Sequence, residues 1–214
     1  MNPTSSIYRS GRAGLIASLM LAGAAIAWLA SGLVGIKPVA PLRATVLPEG
    51  KPLPEFELLD AEGRPFGRAA FTGRWSLMFF GFTNCPDVCP VTLGQLAMAR
   101  KRLAEDDPGA RLPEIIFISV DPERDTPAVV RAYLAPFGDG FNGLTGNAAE
   151  LAVLTGSLGI FHAKGAPVGD SGYSVDHTVA VLLVNPQAEL KAIFGPPHDV
   201  AAIAHDVGLL MGRE

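Results

Sequence analysis

Residues 77–93 read LMFFGFTNCPDVCPVTL. Leu77 to Phe82 is an unbroken apolar run of strand length, which predicts a strand buried on both faces. Cys85 and Cys89 follow it within a few residues. A helical pattern opens behind them at Pro90, with Leu93, Leu96, Ala97, Leu103 and Ala104 at helical spacing through residue 104. A strand feeding a helix through a short loop is the unit of an α/β fold. In open sheets of that kind, ligands sit beyond the carboxyl ends of the strands.

Working outward, Trp75 begins the first buried strand, and Ile115–Val120 (IIFISV) predicts a second. Thr126 to Phe137 reads as a helix, with Thr126 as its N-cap and Pro127 at the first helical position. Asn147 to Leu158 reads as another helix, and Val179–Val184 (VAVLLV) as a third buried strand. Asn185-Pro186-Gln187 turns that strand into an antiparallel partner, Glu189 to Phe194, and Asp199 to Met211 closes the chain as a helix. Earlier, Phe56–Asp60 and Arg64–Phe66 flank Ala61-Glu62-Gly63 as a short hairpin. Strands and helices alternate and a hairpin comes late, which predicts a mixed central sheet with helices on both faces. There is no internal repeat.

The chain has 214 residues, 49% of them hydrophobic, and a formal net charge of −4. Arg9 and Arg12 precede every acidic residue, so the remainder is more acidic still. That argues against a nucleic-acid partner. Residues 13–36 carry no charge. As a helix they would span about 36 Å, enough for a bilayer core. Arg9 and Arg12 on the near flank favour an N-terminus inside, 1–12, and a body outside. A cleaved signal peptide is the competing reading, but its apolar region is usually shorter, about 7–15 residues. No cysteine follows the run closely, which speaks against a lipoprotein anchor. Residues 37–54 hold prolines 38, 41, 48, 52 and 54 and read as a linker, which leaves 55–214 as the exported domain. An exported domain would meet an environment where thiols oxidise readily.

Cys85 and Cys89 are the chain's only cysteines. A structural disulfide between them would close a tiny loop, contributing roughly 2 kcal/mol against about 4.7 for a loop of about 100 residues. A helix N-terminus beside Cys89 would favour a thiolate. Positions four apart share a helix face, so both sulfurs can converge on one point. They would then form a redox-active disulfide or hold a soft ion. Cu(I) suits low-coordinate sulfur sites, whereas zinc would want four ligands. The pair alone does not choose between redox chemistry and metal.

A copper site would benefit from an imidazole. Among four histidines, His177 stands in YSVDHT just before the VAVLLV strand, with Asp176 beside it to orient the ring. His162, His198 and His205 have weaker surroundings: a strand, a Pro-Pro turn and the last helix. The other dense motif is Asp121–Pro127 (DPERDTP). Its plain reading is a strand end and a helix cap. Its functional reading is an acidic side chain beside the cysteine loop.

FFGFTNCPDVCPVTL (79–93), SVDPERDTP (119–127) and YSVDHTVAVLLVNP (173–186), in that order, resemble the Sco/SenC family of copper-binding proteins of cytochrome c oxidase assembly. The resemblance covers roughly residues 50–210. It implies a thioredoxin-like fold with an inserted hairpin. It implies copper, as Cu(I) or Cu(II), held by Cys85, Cys89 and His177, with Asp121 and Asp176 in supporting positions. The implied setting is a bacterial inner membrane with the domain in the periplasm. The implied partners are oxidase subunit II, a periplasmic copper donor and a thioredoxin-like reductant. The implied task is copper delivery, or reduction of that subunit's cysteines. A thiol peroxidase is a weaker alternative, because the loop of Cys85 holds no basic residue to lower its pKa.

Overall fold

The computed structural model describes residues 42–167 and 172–212. The expected N-terminal segment 1–12, the anchor 13–36 and the first part of the linker lie outside the described residues. Among the described residues, no helix is long and apolar enough to cross a membrane.

The expected strand at 75–82 is β4, Ser76–Gly81. All six of its residues are buried, as a strand covered on both faces requires. It pairs in parallel with β5, Glu114–Ser119, and β5 pairs in parallel with β6, Phe141–Thr145. On its other side β4 runs antiparallel to β9, Val181–Val184, which pairs with β10, Glu189–Phe194. The hairpin β2, Glu57–Asp60, and β3, Pro65–Gly67, extends the sheet beyond β6. With β1, Thr45–Pro52, at the other edge, the full order is β1-β10-β9-β4-β5-β6-β2-β3. The sheet is therefore mixed, as expected.

β1, Thr45–Pro52, lies within the stretch read as a linker. It is an edge strand, antiparallel to β10, with a register shift between Val46 and Lys51. Proline removes a ladder donor, which an edge strand or a bulge tolerates. Pro48 and Pro52 thus fit a strand that their number argued against. The folded domain begins before residue 55: Leu42 onward forms one unit, and the Arg43 and Ala44 amides donate to Asp206 Oδ2 at 2.6 and 2.8 Å.

Four α-helices are described. The helix after the cysteine loop is α1, Val88–Asp106, starting two residues earlier than its apolar pattern suggested. α2 is Pro127–Leu134, and its N-cap Thr126 accepts from the Val129 amide as expected. α3, Ala148–Leu158, is capped by Asn147, and α4, Val200–Met211, by Asp199. α1 lies against α4. The core joins Phe79, Phe80 and Phe117 of the sheet to Leu93 and Leu96 of α1 and Val207 of α4. A separate two-stranded hairpin, β7, His162–Pro167, and β8, Tyr173–His177, stands apart from the main sheet. It supplies the inserted hairpin that the resemblance implies.

Candidate metal centre

The end of β4 brings the chain to Thr83 and then to the cysteine loop. Gly81 is needed there. A Cβ at this position would lie 2.8 Å from Cys89 Sγ and 2.9 Å from Phe117 Cε2. A glycine inside a strand often marks such a close approach. Both cysteines are buried, and neither is in a disulfide.

Cys85 precedes α1, and its Sγ accepts from the Cys89 amide at 3.4 Å. The helix N-terminus thus presents its N–H to Cys85, whereas the sequence pointed to Cys89 as the sulfur it would favour. At Cys89 burial prevails and pushes the thiol pKa upward, a backbone hydrogen bond with Phe82 opposing it more weakly. Cys89 is a thiol, not a thiolate, in the metal-free protein at neutral pH.

His177 ends β8 and closes the group. Its Nε2 is 3.4 Å from Cys89 Sγ, and its Nδ1 donates to the Thr178 carbonyl at 3.0 Å. That second bond leaves Nε2 as the acceptor nitrogen, facing Cys89 Sγ, with the other ring nitrogen held as it is in metal-bound imidazoles. Phe79 and Phe82 meet the ring edge-on, at centroid distances of 6.1 and 5.9 Å. Burial lowers the His177 pKa below its ordinary value of 6.5, partly offset by the Thr178 hydrogen bond and the charge of Asp176. With its pKa lowered on folding, His177 takes up its proton more readily in the unfolded chain, so its contribution is full above 6.5 and is lost as pH falls below 6.5 and through the lowered folded value. At neutral pH the ring is neutral and able to bind a metal.

The ligand atoms of Cys85, Cys89 and His177 all lie within 4.8 Å of one another. Two soft sulfurs and one imidazole nitrogen fit a low-coordinate copper ion, with no fourth protein ligand for tetrahedral zinc in the group. His162 faces His177 across the hairpin, His198 Nε2 meets the Val179 carbonyl and His205 meets Asp206. None of these three belongs to the group.

The two supporting acids are placed differently from expectation. Asp176 is exposed on the opposite face of β8, because side chains alternate along a strand. The Thr178 carbonyl, which no side-chain motif could signal, orients the ring instead. Asp121 is buried, but its carboxylate is taken up by Arg124 and by the Tyr173 hydroxyl. The acid that reaches the cysteine loop is Asp125. It accepts from the Thr83 amide at 2.9 Å, the Thr83 hydroxyl at 2.6 Å and the Ser119 hydroxyl at 2.6 Å. The DPERDTP motif signalled an acid here, but spacing alone did not say which.

The SCO1/SenC family model matches residues 46–212. The mouse mitochondrial SCO2 homologue is 36% identical over 153 residues, which cover 72% of this chain and 60% of that protein's length. Among solved structures, Arabidopsis thaliana ScoI with copper bound superposes with a TM-score of 0.72 at 32% identity, covering 76% of this chain and 99% of that one. Bradyrhizobium japonicum ScoI with copper bound gives a TM-score of 0.64 at 33% identity, covering 73% and 97%. The fold is therefore the thioredoxin-like α/β fold of the Sco structures. A model match over most of the domain, on the fold and motif order described above, means that this chain belongs to the SCO1/SenC family.

Proposed function

We propose that this chain is a membrane-anchored copper chaperone that holds one Cu(I) between Cys85, Cys89 and His177. The observation that carries this reading is the convergence of three ligand atoms within 4.8 Å, one of them an imidazole Nε2 freed by its Nδ1 bond. The relatives solved with copper bound support the choice of metal. Cu(II) is a second possible cargo for the same residues. The resemblance supplies the rest of the proposal. Residues 13–36 would anchor the chain in a bacterial inner membrane with its domain in the periplasm. A periplasmic donor would load it, and subunit II of cytochrome c oxidase would receive the copper at its binuclear centre. Oxidation of the pair to a disulfide would eject the metal, so a thioredoxin-like reductant would be needed for reloading.

The alternative is a thiol–disulfide reductase acting on the oxidase subunit's cysteines. It uses the same cysteine pair and needs no histidine. The Nε2 of His177 aimed at Cys89 favours the copper reading over it. Titration of Cu(I) into the reduced protein separates the two. His177→Ala is expected to lose at least about 10-fold in affinity, no less than the loss of a residue that only orients a ligand, while two thiolates still hold Cu(I). Unchanged affinity, with disulfide reduction retained, would favour the reductase.

Loading also has a pH signature. Copper binds thiolate, so the proton on Cys89 must leave. At least one proton per copper is expected to appear in weakly buffered solution near pH 7, and affinity is expected to weaken as pH falls. Loading without proton release would contradict a buried, protonated Cys89 as ligand.

A further inference from the structure

The hairpin β7–β8 carries His177 but pairs with no strand of the main sheet. Its base is tethered by the chain, since β8 ends at His177 and β9 begins at Val181, and beyond that tether its position against the cysteine loop depends on side-chain contacts. Tyr173, Val175 and His177 share one face of β8 by alternation, and Val175 on that face is buried. Hydrogen bonds between Phe161 and Thr178, at 2.9 and 3.0 Å, join the bases of the two strands to each other. They do not tie the hairpin to the rest of the domain.

Tyr173 lies four residues before His177, about 13 Å along the strand. There the 121–125 loop grips it. Arg124 Nη1 donates to the Tyr173 carbonyl at 2.9 Å, and the guanidinium carbon sits 3.8 Å from the Tyr173 ring centroid. The Tyr173 hydroxyl donates to Asp121 Oδ1 at 2.6 Å, and Arg124 Nε pairs with the other oxygen of that carboxylate. The Arg124 side chain is only 19% exposed and that of Asp121 2%, so water does little to weaken this group. Lys164 of β7 adds a bond to Glu123 and lies 4.5 Å from the same ring centroid. That pair is exposed and contributes less. The same loop reaches the other way through Asp125, which holds both the amide and the hydroxyl of Thr83, two residues before Cys85.

We propose that Arg124 and Tyr173 are positioning residues for the metal centre. One loop, 121–125, is bonded both to the segment that carries the sulfurs and to the strand that carries the imidazole, and it sets the distance between them. Arg124 suits the task because its planar fork serves a carboxylate, a carbonyl and an aromatic face together, which a lysine cannot do. The consequence for affinity rests on the copper reading; the docking of the hairpin does not.

The test uses the full chain as Arg124→Lys and Tyr173→Phe, each alone and combined with His177→Ala. In the metal-free protein, Arg124→Lys is expected to speed amide hydrogen exchange of Val175 and His177 at least about 10-fold, leaving β4 and β5 unchanged. Tyr173→Phe keeps the stacked ring and loses only the hydroxyl bond, so its effect is smaller. In Cu(I) competition with a chromophoric chelator, Arg124→Lys is expected to lower affinity about 10-fold, and the loss is expected to vanish in the His177→Ala background. Unchanged exchange in β8, or an equal loss with and without His177, would overturn the proposal. If the parent binds no copper, the copper reading fails by itself, and the exchange measurement still decides the role of the loop.

Discussion

Cys89→Ala is expected to lower Cu(I) affinity by more than about 100-fold, beyond the 10- to 100-fold that loss of a supporting contact to a metal site typically costs. Removing this sulfur leaves one thiolate and one imidazole, and Cu(I) prefers sulfur in low-coordinate sites. The effect should exceed that of His177→Ala, which leaves both sulfurs in place. Folding is a separate question, because the Cys89 side chain is fully buried with its Sγ beside Gly81. Alanine leaves a cavity of about one atom there, at a cost of roughly 1 kcal/mol. Circular dichroism and a urea midpoint close to the parent's would show that lost copper reflects a lost ligand. A Cys89→Ala protein that binds Cu(I) as tightly as the parent would remove Cys89 from the site.

Asp125→Ala should produce the largest loss of stability among the loop residues. The side chain is 1% exposed and accepts three hydrogen bonds, two from Thr83 and one from Ser119. Its own carbonyl accepts from the Thr145 hydroxyl at 2.6 Å, which ties β6 to the same loop. Alanine would strand the Thr83 amide and two hydroxyls without their acceptor. Buried donors left unpaired cost about 1–3 kcal/mol each, and neighbouring losses are not additive. A net destabilisation of about 3 kcal/mol is expected, lowering the melting temperature by roughly 6–12 °C in a domain of this size. Because Thr83 leads into Cys85, the same variant should also bind Cu(I) more weakly. Urea unfolding of the two proteins side by side measures the first effect. A difference under about 0.5 kcal/mol would mean that the loop is held by other contacts.

Much of the fold is legible in particular residues. The apolar runs of β4, β5 and β9 read as buried strands because both of their faces are covered. Thr126, Asn147 and Asp199 mark helix starts because each side chain accepts a backbone N–H there. β6 escapes notice for a physical reason. Its sequence, FNGLT, has no alternation, and Gly143 is there to admit α2. A Cβ at Gly143 would fall 2.2 Å from Val130 Cγ1. β1 escapes because its prolines are acceptable only at a sheet edge, and edge position is a property of the whole topology.

The site was legible in part. The cysteine spacing is local, so the convergence of the two sulfurs could be argued from one helix turn. His177 is 88 residues from Cys89, and only the motif order of a family could bring them together before the fold was known. The roles of Asp121, Asp125 and Asp176 depend on which way each side chain points. Alternation along β8 turns Asp176 away, and the loop after β5 directs Asp121 to Arg124 and Asp125 to Thr83.

X-ray absorption at the copper edge of the reduced, Cu(I)-loaded protein, beside His177→Ala, addresses the ligand set most directly. One copper per chain with two sulfur scatterers and one nitrogen scatterer is the expected result, the nitrogen disappearing in His177→Ala. A parent spectrum with sulfur alone, or one unchanged by His177→Ala, would contradict a centre built from Cys85, Cys89 and His177.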